Sequence, residues 1–288
     1  MGVVYVYLYI ISFIASQILV YKIGQNYNAF FVLFLSCTIA IIFFNFVEAC
    51  KGKLRQNFSF VFGAKKKEFI IVSIYVSLMW VFSYLATVES SARFSITVDF
   101  LAAFAYVNLI YRKFSLLNFI GSSLSIITII LCIVFMPEHS VMGVISGILT
   151  GVFTGMYRIT AFNFSSKYSF SSTAILSIRL FFLWGVSLLL WLIFGDHIVA
   201  TIDSIDSIRI ILIFIVMAML GMILPSFFSQ VALYKLKPYI YSRFVTTVPV
   251  IVLVFQGVVM DDWSIPSFII CLVATIILNL ESLLKAKG

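Results

Sequence analysis

Position 99 is an aspartate near the middle of a long apolar stretch, residues 94–111. A charge at the centre of a bilayer costs about 2.5–3.5 kcal/mol on insertion scales, so a carboxylate there has to be neutralised. A proton, a cationic group of a ligand or an arginine can do this. Asp99 is thus a candidate for proton exchange or amine binding, against the alternative of a silent ion pair. Arg158, Arg179 and Arg243 also interrupt apolar stretches, close to an end in each case. Long side chains so placed can carry their charge out to the headgroups; of the three, Arg158 is grouped with the candidate site. Gln17, Trp80, Tyr84, Tyr157 and Gln230 add aromatic faces and amides, the mix that a small-molecule site offers. Aromatic side chains also gather at membrane interfaces, which is the competing reading for the Trp and Tyr residues.

Other chemistries find little footing. His139 follows Glu138 and His197 follows Asp196, each in a short polar gap without the further ligands a metal would need. The four cysteines, Cys37, Cys50, Cys132 and Cys271, form no CxxC pair and join no Cys/His cluster, so neither a disulfide framework nor a zinc site is expected. No GxxxxGK[ST] loop is present for ATP, and no nucleophile–base constellation stands out. The expectation is a chain without catalytic residues, metal or cofactor.

The elements that must position these residues are set by composition. Of the 288 residues, 63% are hydrophobic and 10% charged, against about 25% charged in a soluble domain. Apolar side chains in this proportion have to face hydrocarbon as well as a core. Ten apolar runs reach the length needed to cross a bilayer: 3–21, 29–49, 69–88, 94–111, 116–135, 140–162, 173–194, 208–230, 239–260 and 265–284. They lack the alternation of barrel strands. The fold class expected is an all-α integral membrane protein of about ten transmembrane helices, forming one membrane domain over 1–288. The first run has no basic n-region and no small-residue cleavage site, so it reads as a retained helix.

The net charge of +8 is explained by topology and not by a nucleic-acid partner. With the N-terminus cytosolic, 13 of the 19 Lys and Arg residues fall in inside gaps and only Lys22, Arg93 and Arg209 in outside gaps. That asymmetry obeys the positive-inside rule and puts both termini in the cytosol. Two stretches are longer than the other gaps: a basic one at 50–68 and an acidic one at 195–207.

An internal repeat agrees. Phe114-Ser115-Leu116 opens the fifth run as Trp263-Ser264-Ile265 opens the tenth; Arg112-Lys113 precedes the first and Asp261-Asp262 the second. Phe82-Ser83-Tyr84-Leu85-Ala86 is similar to Phe228-Ser229-Gln230-Val231-Ala232. The runs divide into two fives, 3–135 and 140–284, and five being odd, the second must be inverted. Inverted repeats with a site at their interface recur among transporters. The sixth run carries Gly143, Gly147, Gly151 and Gly155, one glycine every four residues. They share a helical face that lets another backbone approach, as permanent packing or as a sliding surface.

These features make the chain similar to the drug/metabolite transporter superfamily in its ten-helix, EamA-type form. The similarity extends over nearly the whole length. The characteristic block runs from Ala232-Leu233-Tyr234-Lys235-Leu236-Lys237-Pro238 through Thr247-Val248-Pro249-Val250 to Asp261-Asp262-Trp263-Ser264, with residues 93–115 as its first-half counterpart. That counterpart lacks the proline expected near Phe100 and ends in Arg112-Lys113 instead of acidic residues. The resemblance implies a compact bundle whose central cavity is lined by helices one, three, four, six, eight and nine. It also implies alternating access and export of small organic metabolites across a bacterial inner membrane; coupling to a proton or ion is an expectation from Asp99 alone. Two other functions are weighed: import of an organic cation such as choline, served by aromatic faces and Asp99, and a membrane component of lipid-linked glycan synthesis or flipping. Expected partners are a small-molecule substrate and the bilayer, with a homodimer left open.

Overall fold

Serine side chains decide where several helices begin. Ser91, Ser115, Ser140 and Ser171 each accept the backbone N–H three residues on, from Phe94, Asn118, Gly143 and Ala174, at 3.0–3.3 Å. Each thereby satisfies an N–H group that the first turn leaves without a partner. Asn28 does the same for Phe30, at 2.9 Å.

The computed structural model describes residues 2–24, 27–63, 66–111, 115–136, 139–168, 171–195, 204–236, 244–261 and 263–285. All regular structure among them is helical: α1 (Gly2–Gly24), α2 (Ala29–Cys50), α3 (Leu54–Phe62), α4 (Lys66–Val88), α5 (Ala92–Tyr106), α6 (Leu116–Phe135), α7 (Val141–Lys167), α8 (Ser172–Phe194), α9 (Ser204–Ala218), α10 (Leu224–Lys235), α11 (Val248–Met260) and α12 (Ile265–Lys285). A π-turn, Val107–Tyr111, extends α5, and another, Met219–Ile223, links α9 directly to α10. Helices suit a bilayer because they satisfy every backbone polar group within the segment.

Among the described residues, eight helical stretches are long and apolar enough to cross a membrane. Val248–Met260 and Ile265–Asn279 are apolar but shorter. The run expected at 239–260 yields only 13 helical residues from Val248. Pro249 sits in the first turn of α11, where its fixed φ and missing N–H suit a helix start; residues 239–243 lie outside the described residues. Large apolar side chains on the outer surface, among them Leu192 and Ile193 of α8 and Val134 of α6, are well exposed. Such a surface needs hydrocarbon around it.

The strongest helix pairings are α4 with α7, α2 with α8, α5 with α7, and α1 with α10 and the second π-turn. Weaker ones join α4 to α8, α2 to α9, α5 to α6 and α11, α11 to α12, and α6 to α12. The glycine row of α7 faces α5. A Cβ on Gly147 would stand 3.2 Å from Val98, and one on Gly155 2.7 Å from Tyr106. Gly143 lies against the Glu89 carbonyl. Helix α5 is thus held at backbone distance, which is what brings Asp99 up to α7.

Two features depart from the sequence reading. The basic gap at 50–68 contains the helix α3, fastened by Glu48. That carboxylate is fully buried and receives Asn57 Nδ2 at 2.6 Å, Thr173 Oγ1 at 2.5 Å and Lys51 Nζ at 2.8 Å, joining α2, α3 and the start of α8. Arg93, counted with the outside gaps, belongs to the first turn of α5 and is buried. Glu48→Ala removes the common acceptor and should cost about 1–3 kcal/mol, seen as a lower unfolding temperature in detergent. Glu68→Ala breaks an exposed pair with Lys167, 2.7 Å apart, and should cost less than about 1 kcal/mol. Equal effects of the two substitutions would count against Glu48 as the anchor.

Candidate functional site

Spacing on α7 produces one wall of a central cavity. Thr150, Thr154, Tyr157 and Arg158 recur at three- and four-residue intervals and all line it, as side chains on one helical face do. The next face of the same helix holds the glycines. Across that contact Asp99 of α5, almost fully buried, accepts a hydrogen bond from Thr154 Oγ1 at 2.9 Å. Arg158 stands one turn further on, half-buried, with its guanidinium 5.3 Å from the ring centre of Phe100. Its positive charge acts on the Asp99 carboxylate.

A second charged centre lies on α8. Arg179 is 2% exposed. Its Nη1 donates to Tyr157 Oη at 2.7 Å and to Gln230 Oε1 at 3.2 Å, and the Tyr157 hydroxyl also donates to Gln230 at 3.3 Å. Three helices, α7, α8 and α10, meet in this triad. The Arg179 guanidinium carbon lies 5.2 Å from the centre of the Tyr157 ring, within cation–π range.

Aromatic rings close the opposite wall. Tyr9 stacks on Phe13 at 5.6 Å, and Phe13 meets Trp80 edge-on at 6.2 Å. Ser83 of α4 and Ser226 and Ser229 of α10 add hydroxyls to the lining. The free space is about 40 Å³, room for a few waters at about 10–15 Å³ each. Small-molecule sites enclose roughly 300–1,000 Å³, so an organic occupant requires these walls to part.

The structure brings together Asp99, Trp80, Tyr157 and Arg158 on the cavity surface, with Gln230 directly behind it. It places Gln17 and Tyr84 elsewhere. Gln17 Oε1 accepts from Thr87, whose hydroxyl also lies 3.1 Å from Ser95, so these side chains tie α1, α4 and α5 together near the α4–α5 connection. Tyr84 is fully buried against α2 and the second π-turn, its hydroxyl beside Gly221. Arg179, read as an arginine able to reach the headgroups, is instead enclosed. The residues around it, from Ala174 to Leu180, are buried on every side, leaving no outward path. Its charge within an apolar run was the available clue. Arg243 and His197 lie outside the described residues. His139 rests 4.7 Å from the Phe94 ring, with Nε2 2.8 Å from the Ile133 carbonyl.

The lining helices are α1, α4, α5, α7, α8 and α10, which are the first, third, fourth, sixth, seventh and eighth runs. The ninth run, implied by the resemblance, contributes no lining residue among those described, and the seventh contributes Arg179. Gln256 of the ninth run instead accepts the Arg93 backbone N–H at 2.9 Å, tying α11 to the start of α5. No group of three or more metal-ligating side chains occurs among the described residues.

No family model matches this sequence, and no curated protein is similar to it. Solved structures do share its fold. One crystal structure of a protein superposes with a TM-score of 0.68 over 99% of this chain and 98% of that chain, at 10% identity.

Proposed function

We propose that the chain is a secondary transporter of the ten-helix, EamA-type drug/metabolite transporter kind, and not an enzyme. It moves a small polar or amphipathic metabolite by alternating access, in the direction of export, across the cytoplasmic membrane of a bacterium. The observation that carries this reading is a charged cavity, lined by Asp99, Arg158 and Arg179, at the centre of a bundle sheathed in exposed apolar side chains. Buried charges in an apolar bundle mark pathways more often than frameworks.

The pairings support two inverted repeats, 3–135 and 140–284. Exchanging the halves exchanges the contact of α4 and α7 with that of α1 and the second π-turn and α10. It likewise exchanges α4–α8 with α2–α9 and α5–α6 with α11–α12, while α2–α8, α5–α11 and α6–α12 map onto themselves. Alternating access also needs one end shut while the other yields. Buried polar ties of Gln17, Thr87, Ser95 and Gln256 fasten the end at the α4–α5 connection. The opposite end combines the buried Glu48 network of α2, α3 and α8 with the exposed Lys167–Glu68 pair between α4 and α7, and of these the exposed pair is the one that solvent and salt weaken.

Comparing metabolite uptake and efflux in cells with and without the protein tests the reading. A small organic compound should accumulate in one compartment when the protein is missing; unchanged pools in both directions would remove transport from consideration. Topology is tested separately by cysteines at positions 66 and 203, the latter outside the described residues. The background should be Cys50→Ser, since Cys50 is the exposed native thiol. An impermeant thiol reagent should label position 203 and spare position 66 in intact cells. Labelling at 66 would invert the protein. Import of an organic cation would use the same aromatic wall and Asp99, yet two guanidiniums on that cavity oppose a third positive charge.

A further inference from the structure

We infer that the cavity takes an organic anion, and that a carboxylate of the substrate is received by Arg179. Binding itself stands apart from the transport reading; only the passage of the bound anion across the membrane rests on it. Arg179 is nearly cut off from water, yet its partners are the neutral Tyr157 hydroxyl and Gln230 amide oxygen. Among the described residues no acidic side chain lies within 4 Å of it. A buried cation held only by neutral dipoles is expensive, and a counter-ion relieves that expense. Its Nε is buried and has no hydrogen-bond partner. Tyr157 and Gln230 engage Nη1 and fix the plane of the guanidinium, while the Nε edge stays unclaimed. That edge of a guanidinium is suited to a two-pronged bond with a carboxylate.

Charge over the whole cavity points the same way. Among the described lining residues the charged ones are Arg158, Arg179 and Asp99, and Asp99 already has Thr154 and the field of Arg158. An anion brings the enclosed charge to balance; an amine moves it further away. The rings of Phe13 and Trp80 offer an apolar surface for the body of the molecule.

The test uses the purified full chain in detergent and in proteoliposomes. The probes are benzoate and 3-phenylpropanoate, each with its neutral primary amide and its amine counterpart. At ten times its dissociation constant a carboxylate should raise the unfolding temperature by about 2–4 °C, and the amides and amines should not. Arg179→Gln should weaken the carboxylate's apparent affinity about 10- to 100-fold. Arg179→Lys keeps the charge without the fork and should recover part of it, which also covers the case of a glutamine variant that does not fold. Lys22→Gln, which removes an exposed charge at the end of α1, should leave affinity unchanged. Stabilisation by amides or amines as strong as by carboxylates, no response to any probe, or equal loss in the Lys22 variant would overturn the inference. A carboxylate that binds through Arg179 but never crosses the proteoliposome membrane leaves the anion site standing and defeats the transport reading instead.

Discussion

Replacing Gly151 with leucine should leave the protein unable to reach a single folded species. A Cβ at this position would lie 2.5 Å from the Ala102 Cβ, 2.5 Å from the Asp99 carbonyl oxygen and 2.8 Å from the Ala103 nitrogen. Two of these three are backbone atoms inside α5, and a helix cannot move one peptide without moving its neighbours. Overpacking of this sort costs about 1–3 kcal/mol, occasionally more, and here any relief pushes α5 away and draws Asp99 off Thr154. Size-exclusion profiles and unfolding temperatures of the solubilised protein should show aggregation or a large loss of stability. Gly185→Leu is the matched control, because nothing lies within 4 Å of a Cβ there. It should behave as wild type, and a Gly151→Leu protein that does so too would mean that α5 and α7 are not in close contact.

Asp99→Asn should separate function from folding. Asparagine has nearly the same volume and retains an oxygen for Thr154, so the α5–α7 contact stays packed. What disappears is the charge facing Arg158, together with the ability to hold a proton. Arg158 is half-buried and can turn toward water, which limits the penalty of losing its neighbour. Under the proposed transport function, gradient-driven transport should fall by about tenfold or more, because the charge and the proton-holding group are both lost from the cavity, while the unfolding temperature shifts by little. Both are to be measured on one preparation. Wild-type transport at every pH would take Asp99 out of the mechanism. A sharp loss of stability with transport lost in proportion would make it a structural partner of Arg158.

Helices were legible in this sequence because a membrane leaves the backbone few choices and because the apolar runs are long enough to cross one. Asp99 was legible for a related reason: a carboxylate in an apolar run has few bland explanations. The side to which a residue points was not. These helices are apolar around most of their circumference, so no polar stripe tells the core face from the lipid face. Gln17 and Tyr84 therefore looked like Trp80 and Tyr157, and only packing sends the first pair to helix junctions and the second to the cavity. Arg179 was obscured by its nearness to the end of its run, where a free arginine reaches the headgroups. Its neighbours on α8 prevent that, and they are ordinary aliphatic residues whose burial no local pattern announces. The short α3 escaped notice because its anchor, Glu48, acts through Asn57 and Thr173, nine and 125 residues away.

The π-turn at Met219–Ile223 gives the long helix from Ser204 to Lys235 two phases. A π-turn holds one residue more than an α-turn, and each residue advances a helix by about 100°. Upstream, α9 presents its contact face to α2; downstream, α10 presents Ser226, Ser229 and Gln230 to the cavity and Arg179. Both orientations depend on that one added residue. Deleting it would leave hydropathy, length and charge almost unchanged, yet swing the lower half of the helix by more than a quarter turn. The chemical content of the cavity is thus stored partly as a count of residues, and two chains with matching hydropathy can differ in it completely.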